Sequence, residues 1–420
     1  MSDPTQTILR ARTLLPVTQP PVENGAIIIS GNRIQAVGSW PDLQSRANGN
    51  IVDLGDVLLL PGLINAHCHL DYTDMAGTLP PPKSFIDWIP LILAAKSAWG
   101  YSEYLRSWLN GAHMLARTGT TTVADIEAVP DLLPEAWDAT PLRVFSFLEM
   151  TGIRARREPG EILHEAVERI QSLSHPRCRA WLSPHAPYST LPALLRLSAE
   201  VSRERGWRLS IHVAESQPEL DMFLHGRGEM YNWMQRNTRD LSDCGLGSPV
   251  QHLARCEVLG ENLLAIHVNL LERGDVELLG GHRAHVVHCP RSHDYFRHPP
   301  FQRRQLAEAG VNVCLGTDSL ATVLTIPKRP LQLDLFAEMR ALAAADTGLA
   351  ATEILRMATV NGARALGLAG QIGELAESAL ADLIAIPART DAADAAEAAL
   401  AHTGPVSASM VDGQWIIPPN

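Results

Sequence analysis

The sequence predicts an α/β fold: a (β/α)8 TIM barrel with a small composite β-sandwich domain formed by the N- and C-terminal segments. Three observations predict it. Eight strand-like apolar runs recur through the centre, most followed by amphipathic, helix-like stretches, and that alternation argues for parallel strands joined by helical crossovers. The 420 residues, 46% of them hydrophobic, exceed one ordinary small domain and suit a barrel of about 250 residues with additions. The two ends read instead as short strands between turn signals, each too small for a core of its own.

The ends come first. Ala26–Ser30 and Arg33–Val37 flank Gly31-Asn32, a hairpin pattern. At the other end Ala381–Ile386, Val406–Val411 and Gln414–Ile417 are strand-like, with a turn at Asp412-Gly413. Asp391–Ala401, Ala-rich and acidic, reads as a helix or loop on the same small domain. The ends therefore pair, giving domain bounds of 1–57 and 371–420 around a barrel at 58–370. The barrel strands are expected at Leu58–Ile64, Thr121–Ile126, Arg143–Met150, Arg179–Ser183, Arg208–Val213, Leu263–Val268, His285–Cys289 and Val311–Leu315. Leu191–Arg205 and Pro300–Ala309 are examples of the intervening helices. The insertion Leu79–Tyr104 follows the first strand and is placed to form a lid or a wall of the pocket.

Composition excludes several classes. Formal net charge is -11 with no basic cluster, which argues against nucleic acid. No apolar run approaches the roughly 20 residues of a membrane span. The stretch MSDPTQTILRARTLLP lacks the charged-then-apolar build of a signal peptide. Six scattered cysteines without a C-x-x-C pattern read as free thiols in a reducing cytoplasm. The expected partner is a small heterocyclic or nucleoside substrate, and a homo-oligomer stays open.

Barrels of this kind carry their chemistry at the C-terminal strand ends. The first strand ends in His67-Cys68-His69, and alternate residues of a strand share a face. The fifth ends in His212-Val213-Ala214-Glu215, the sixth in His267, the eighth in Gly316-Thr317-Asp318. His67, His69 and His212 offer neutral nitrogens and Asp318 an anionic oxygen, a set that suits one Zn(II) or Fe(II) with a position open for water. Such a metal lowers the water's pKa from about 15.7 towards about 7. Glu215 is the expected proton shuttle. Asp318 ligates and takes the water's proton, and His267 hydrogen-bonds the hydroxide or the tetrahedral intermediate. Lys83, Lys96 and Lys328 are the only lysines; none lies in a predicted strand, so a two-metal site bridged by a modified strand lysine is not expected.

The motifs LPGLINAHCHLD, TGTTTVAD, SPHAPYS, IHVAES, HCPRSHDYF, LGTDS and ADLIAI together resemble the amidohydrolase superfamily, and within it the cytosine-deaminase and chlorohydrolase branch. FIDW, SPHAPYS and the HCPRSHDYF-HPPF run look most like aminodeoxyfutalosine deaminases, near the S-adenosylhomocysteine and methylthioadenosine deaminases. The resemblance implies His67, His69, His212 and Asp318 as ligands, Glu215 and His267 as catalytic, and hydrolytic deamination of a 6-amino purine nucleoside. It departs at His293, where asparagine is more usual. Glu149-Met150-Thr151 also lacks the basic residue that some relatives use for a substrate carboxylate. Hydrolysis of another C–N or C–Cl bond on a triazine is the alternative reaction, and a non-catalytic scaffold the alternative class. Trp88 and Phe296 offer flat apolar faces to a base or ribose, and His185 a hydrogen bond to substrate. Arg291 pairs either a substrate anion or a neighbouring carboxylate. His288 reads as structural.

Overall fold

The computed structural model describes residues 6–80, 82–153, 157–325 and 330–419. The first five residues of the stretch read for a signal peptide, and Lys328, lie outside them. The barrel consists of eight parallel strands in sequential order: β1 (Leu63–Cys68), β2 (Thr120–Glu127), β3 (Arg143–Met150), β4 (Arg179–Pro184), β5 (Leu209–Val213), β6 (Leu263–His267), β7 (His285–His288) and β8 (Asn312–Leu315). A bridge between Cys68 and Asp318 joins the last strand to the first. Side chains alternate as a strand requires. On β3, Phe145 and Phe147 fill the barrel interior while Val144 and Leu148 pack outward under the helices.

The two ends pair into one small β domain, built as a branched sheet of eight strands. Strand Gln6–Leu14 pairs with Val22–Ser30, Gly49–Asp53 and Val57–Pro61. Val57–Pro61 pairs in turn with Leu383–Pro387, tying the two ends together. The Gly31-Asn32 hairpin forms as expected. Leu9 and Ile27 face one apolar cluster; Ile8 and Ile28 face another under the short helix Trp40–Leu43.

Two expectations need correction. The run Leu58–Ile64 is not one strand. It divides at Gly62: Val57–Pro61 joins the small sheet and β1 begins at Leu63. A Cβ at Gly62 would lie 2.0 Å from Thr121 Oγ1, so only glycine lets the chain cross there between domains. Secondly, helix Ala395–Ala401 does not sit on the small domain. Its alanines pack against the barrel-side helices Leu335–Ala345 and Ala351–Met357, because small side chains let helices approach closely. No described helix is long and apolar enough to cross a membrane.

Candidate metal centre and catalytic site

Three strand ends converge on one point. A register shift in β1 between Asn65 and Cys68 bends the strand, and His67 and His69 project together with ring centroids 5.0 Å apart. Bulges of this kind re-aim side chains beside functional sites. Thr317 and Asp318 both donate backbone N–H groups to the His67 carbonyl, at 3.0 and 3.1 Å, which draws the end of β8 against β1. Gly316 permits this approach, since a Cβ there would meet the His67 carbonyl oxygen at 2.7 Å. His212 arrives from β5 with its ring 4.9 Å from that of His67.

The donor atoms form a compact set. His69 Nε2 and His212 Nε2 are 3.3 Å apart. Asp318 Oδ1 stands 3.6 Å from His67 Nε2 and 3.7 Å from His69 Nε2. Atoms about 2.0–2.2 Å from one tetrahedral ion stand roughly 3.3–3.6 Å from each other. Both ring nitrogens of His67 are buried without a hydrogen-bond partner, an arrangement that costs free energy unless something binds them. Two triads that share His67, His67–His69–His212 and His67–His267–Asp318, could each hold a divalent ion, and the Asp318 contacts to His67 and His69 join them. The second atoms of His212 and Asp318 are already engaged. His212 Nδ1 donates to the His185 carbonyl at 2.9 Å, which leaves the Nε2 lone pair free. Asp318 Oδ2 accepts from Ser292 Oγ at 2.6 Å and Thr322 Oγ1 at 3.0 Å.

Electrostatics separates the roles. Burial, with the His67 charge next, holds His69 and His212 well below the ordinary imidazole range. Burial also takes His267 down to about 3. Burial alone would raise Asp318, but the imidazoles of His67, His267 and His69 hold it well below the usual carboxylate range. Burial, and then Asp318, pushes Glu215 well above its usual value. The shifts run in opposite directions for the two carboxyls, Asp318 towards the anion and Glu215 towards the acid, the separation that paired acid and base groups require.

Glu215 is held from both sides. The Ala214 and Glu215 amides donate to the Glu219 carboxylate at 3.2 and 2.8 Å. Asn269 Nδ2 donates to the Glu215 carbonyl at 3.1 Å, and the Asn269 side-chain oxygen meets His293 Nδ1 at 3.0 Å. Glu215 Oε1 lies 3.5 Å from His267 Nε2. Ala214, His267, Val268 and Asp318 all adopt left-handed φ angles of 51°, 72°, 49° and 51°. Such conformations cost about 1–3 kcal/mol each and persist only where the surroundings enforce them.

A cavity opens over this cluster. One wall is helix α1 (Phe85–Ser97), started by Ser84 Oγ accepting from the Asp87 amide at 3.3 Å. Trp88 and His185 line the cavity, and His185 Nδ1 is 2.5 Å from Ser189 Oγ. Phe296 does not line it; it packs behind, its ring 5.3 Å from Phe85 and 5.7 Å from Trp88. Arg291 also lies outside the lining. Its Nε pairs with Glu338 at 2.5 Å and its guanidinium donates to the Gln332 carbonyl at 3.1 Å. Glu338 is fully buried and needs that cation, so of the two readings of Arg291 the neighbouring-carboxylate one describes its position. His288 stacks on Phe301 with centroids 3.9 Å apart.

The amidohydrolase family profile matches residues 58–416. The chain belongs to the amidohydrolase family. This amidohydrolase is 32% identical over 408 residues to a 5-methylthioadenosine/S-adenosylhomocysteine deaminase of Syntrophobacter fumaroxidans, covering 90% of this chain and 83% of the relative. Among solved structures it is similar to Helicobacter pylori aminofutalosine deaminase in complex with methylthio-coformycin, with TM-score 0.87 and 21% identity, covering 98% of this chain and 100% of that one. It is also similar to a zinc-bound adenosine deaminase from Xanthomonas campestris, with TM-score 0.83 and 22% identity, covering 98% and 93%. The family and the donor set together support a divalent metal.

In this amidohydrolase the sequence reading missed Glu219, Asn269 and Lys96. The Ser216-x-x-Glu219 capping pattern was a signal for the first, and Ser216 Oγ does accept from the Glu219 amide at 3.4 Å. Nothing local marks Asn269. Lys96 was read only as a lysine outside the predicted strands.

Proposed function

We propose that this chain is a metal-dependent aminohydrolase. It exchanges the 6-amino group of a purine nucleoside for oxygen and releases ammonia. The observation that carries the reading is the position of Glu215, a buried carboxyl whose pKa burial raises, standing 3.5 Å from His267 beside the donor set. His67, His69, His212 and Asp318 hold the metal, and three nitrogens with one carboxylate favour Zn(II) over Fe(II). When bound, the metal supplies Lewis acidity that makes a water acidic near neutral pH.

The chain's own residues do the rest. Glu215 donates its proton to the ring nitrogen beside the amino carbon, which makes that carbon electrophilic. Asp318 accepts a proton from the attacking water. His267 hydrogen-bonds the developing oxyanion. Asp318 passes the proton it took from water to the amine, which leaves as ammonia, while Glu215, now a base, recovers a proton from the added hydroxyl as the carbonyl forms, so both carboxyls return to their starting states. Positioned proton transfer of this kind is worth about 10²–10⁴-fold. Trp88 supports the base from the α1 wall and His185 hydrogen-bonds it from β4. All six cysteines are free thiols, which suits a reducing cytoplasm.

The relatives named as nucleoside deaminases support a nucleoside over a triazine. The test is ammonia release from adenosine, 5′-methylthioadenosine and 5′-deoxyadenosine against halide release from a chlorotriazine. Ammonia from a nucleoside is expected. Halide release from the triazine with every nucleoside inert would replace this reading with the chlorohydrolase one.

A further inference from the structure

Glu215 does its work from outside the regular barrel. It stands two residues past the end of β5, beyond the left-handed Ala214, where the strand ladder no longer fixes the chain. Three consecutive carbonyls carry the chain past the strand end, and each accepts one donor from the end of β6. The Val213 carbonyl takes the Val268 amide and the Ala214 carbonyl takes the Leu270 amide, both at 3.1 Å. The Glu215 carbonyl takes Asn269 Nδ2, also at 3.1 Å. The first two donors are backbone. The third is a side chain, and it holds only while the Asn269 amide faces the right way.

Asn269 is buried, and the Glu215 carbonyl only accepts. The Asn269 NH2 therefore faces Glu215 and its oxygen faces away. That oxygen meets His293 Nδ1 at 3.0 Å, so His293 carries its proton on Nδ1. The His293 ring packs edge-on against His288 with centroids 5.2 Å apart. His293 belongs to the short helix Pro290–Phe296 that follows β7, and both it and Asn269 lie outside the cavity lining. Its two predecessors in that helix are also engaged. Ser292 Oγ donates to Asp318 Oδ2 at 2.6 Å. The Arg291 amide and Nε both donate to the buried Glu338 carboxylate, at 2.9 and 2.5 Å. Three consecutive residues thus tie this helix to the core, to the base and, through Asn269, to the acid.

We propose that His293 is a positioning residue of the reaction: through Asn269 it fixes the backbone at Glu215, and with Ser292 on Asp318 it makes the helix Pro290–Phe296 the element that sets the acid against the base. The inference rests on the roles given above to Glu215 and Asp318. Losing the His293 donor leaves the Asn269 oxygen buried and unpaired, and the amide is then free to turn away from Glu215. Small displacements of a catalytic group are costly to turnover.

The experiment follows ammonia release from 5′-methylthioadenosine by His293→Leu, His293→Asn, His293→Gln and the double variant His293→Leu/Asn269→Ala, with zinc content per chain and thermal unfolding measured alongside. The side-chain nitrogen of asparagine is bonded to Cγ, as Nδ1 of histidine is, and donates from the same place; that of glutamine lies one bond further out. His293→Leu lowers kcat about ten-fold with KM and zinc content unchanged. His293→Asn recovers most of that loss and His293→Gln does not. Because His293 acts through Asn269, the double variant falls no further than Asn269→Ala alone. Losses that multiply in the double variant, or equal kcat in the Leu and Asn variants, would overturn the relay. If the Leu variant does not fold, the Asn and Gln variants decide, and equal kcat in those two overturns it. A wild type that releases halide from a chlorotriazine and no ammonia from nucleosides would remove the nucleoside reading alone, because the same variants are then compared on halide release.

Discussion

The two ends of the cavity are built differently. At the reactive end Asp318, His212 and Glu215 each have a companion atom already engaged. Asp318 shows one oxygen to the imidazoles and anchors the other on Ser292 and Thr322. His212 fixes its tautomer on a backbone carbonyl. Glu215 is gripped at its amide by Glu219 and at its carbonyl by Asn269. At the outer end Lys96 bonds only Tyr72 through its ammonium, and Glu149 stands without a described partner. The difference is that side-chain and backbone hydrogen bonds fix one end, while few hold the other. Chemistry needs fixed geometry, because a displacement of about 1 Å can cost a hundred-fold.

Breaking the braced end should have the largest effects. His212→Ala removes a donor, so metal analysis of the purified protein should find most of the metal gone and turnover abolished. Unchanged metal content would show that the donor set is misplaced. Glu215→Gln should keep the metal and lose about 10²–10⁴-fold in kcat; near-normal turnover would take Glu215 out of the mechanism. Asn269→Ala frees the Glu215 carbonyl without touching a donor atom. It should cost about ten- to a hundred-fold in kcat with KM little changed, and an equal loss in thermal stability and kcat would point to a folding role instead.

Arg291 marks a position outside the contrast. Arg291→Ala leaves Glu338 buried and unpaired, so stability should fall by about 3–5 kcal/mol in denaturant titration, with KM unaltered. A raised KM at full stability would return Arg291 to the substrate. The smallest effect concerns acid. Burial lowers His69 and His212, so protons compete with the metal only below the ordinary imidazole range. Metal content should therefore be the same at neutral pH and at about pH 6, where exposed imidazole is largely protonated. Loss of metal already at that pH would mean solvated, ordinary histidines.

Much of this was legible in the chain because it is local. Apolar runs of strand length mark β1 to β8, and His67, His69, His212 and Asp318 stand at or just past their ends, where the barrel puts its chemistry. What stayed hidden depends on tertiary pairing. Gly62 gives no hint that Val57–Pro61 belongs to a strand of the other terminus. Arg291 meets Glu338 only once α-helical segments far apart in sequence are packed together. Phe296 looked like an aromatic face for substrate and packs beside Phe85 and Trp88 outside the cavity lining. Lys96 and Glu149 come from an insertion helix and a barrel strand, and only the fold brings both into the cavity lining.

The central claim is tested most directly by stripping the protein with a chelator and following ammonia release from 5′-methylthioadenosine as Zn(II) is added back. The account predicts that activity is lost on stripping, rises in proportion to added metal, and levels off at one equivalent per chain. Full ammonia release from the metal-free protein would contradict it.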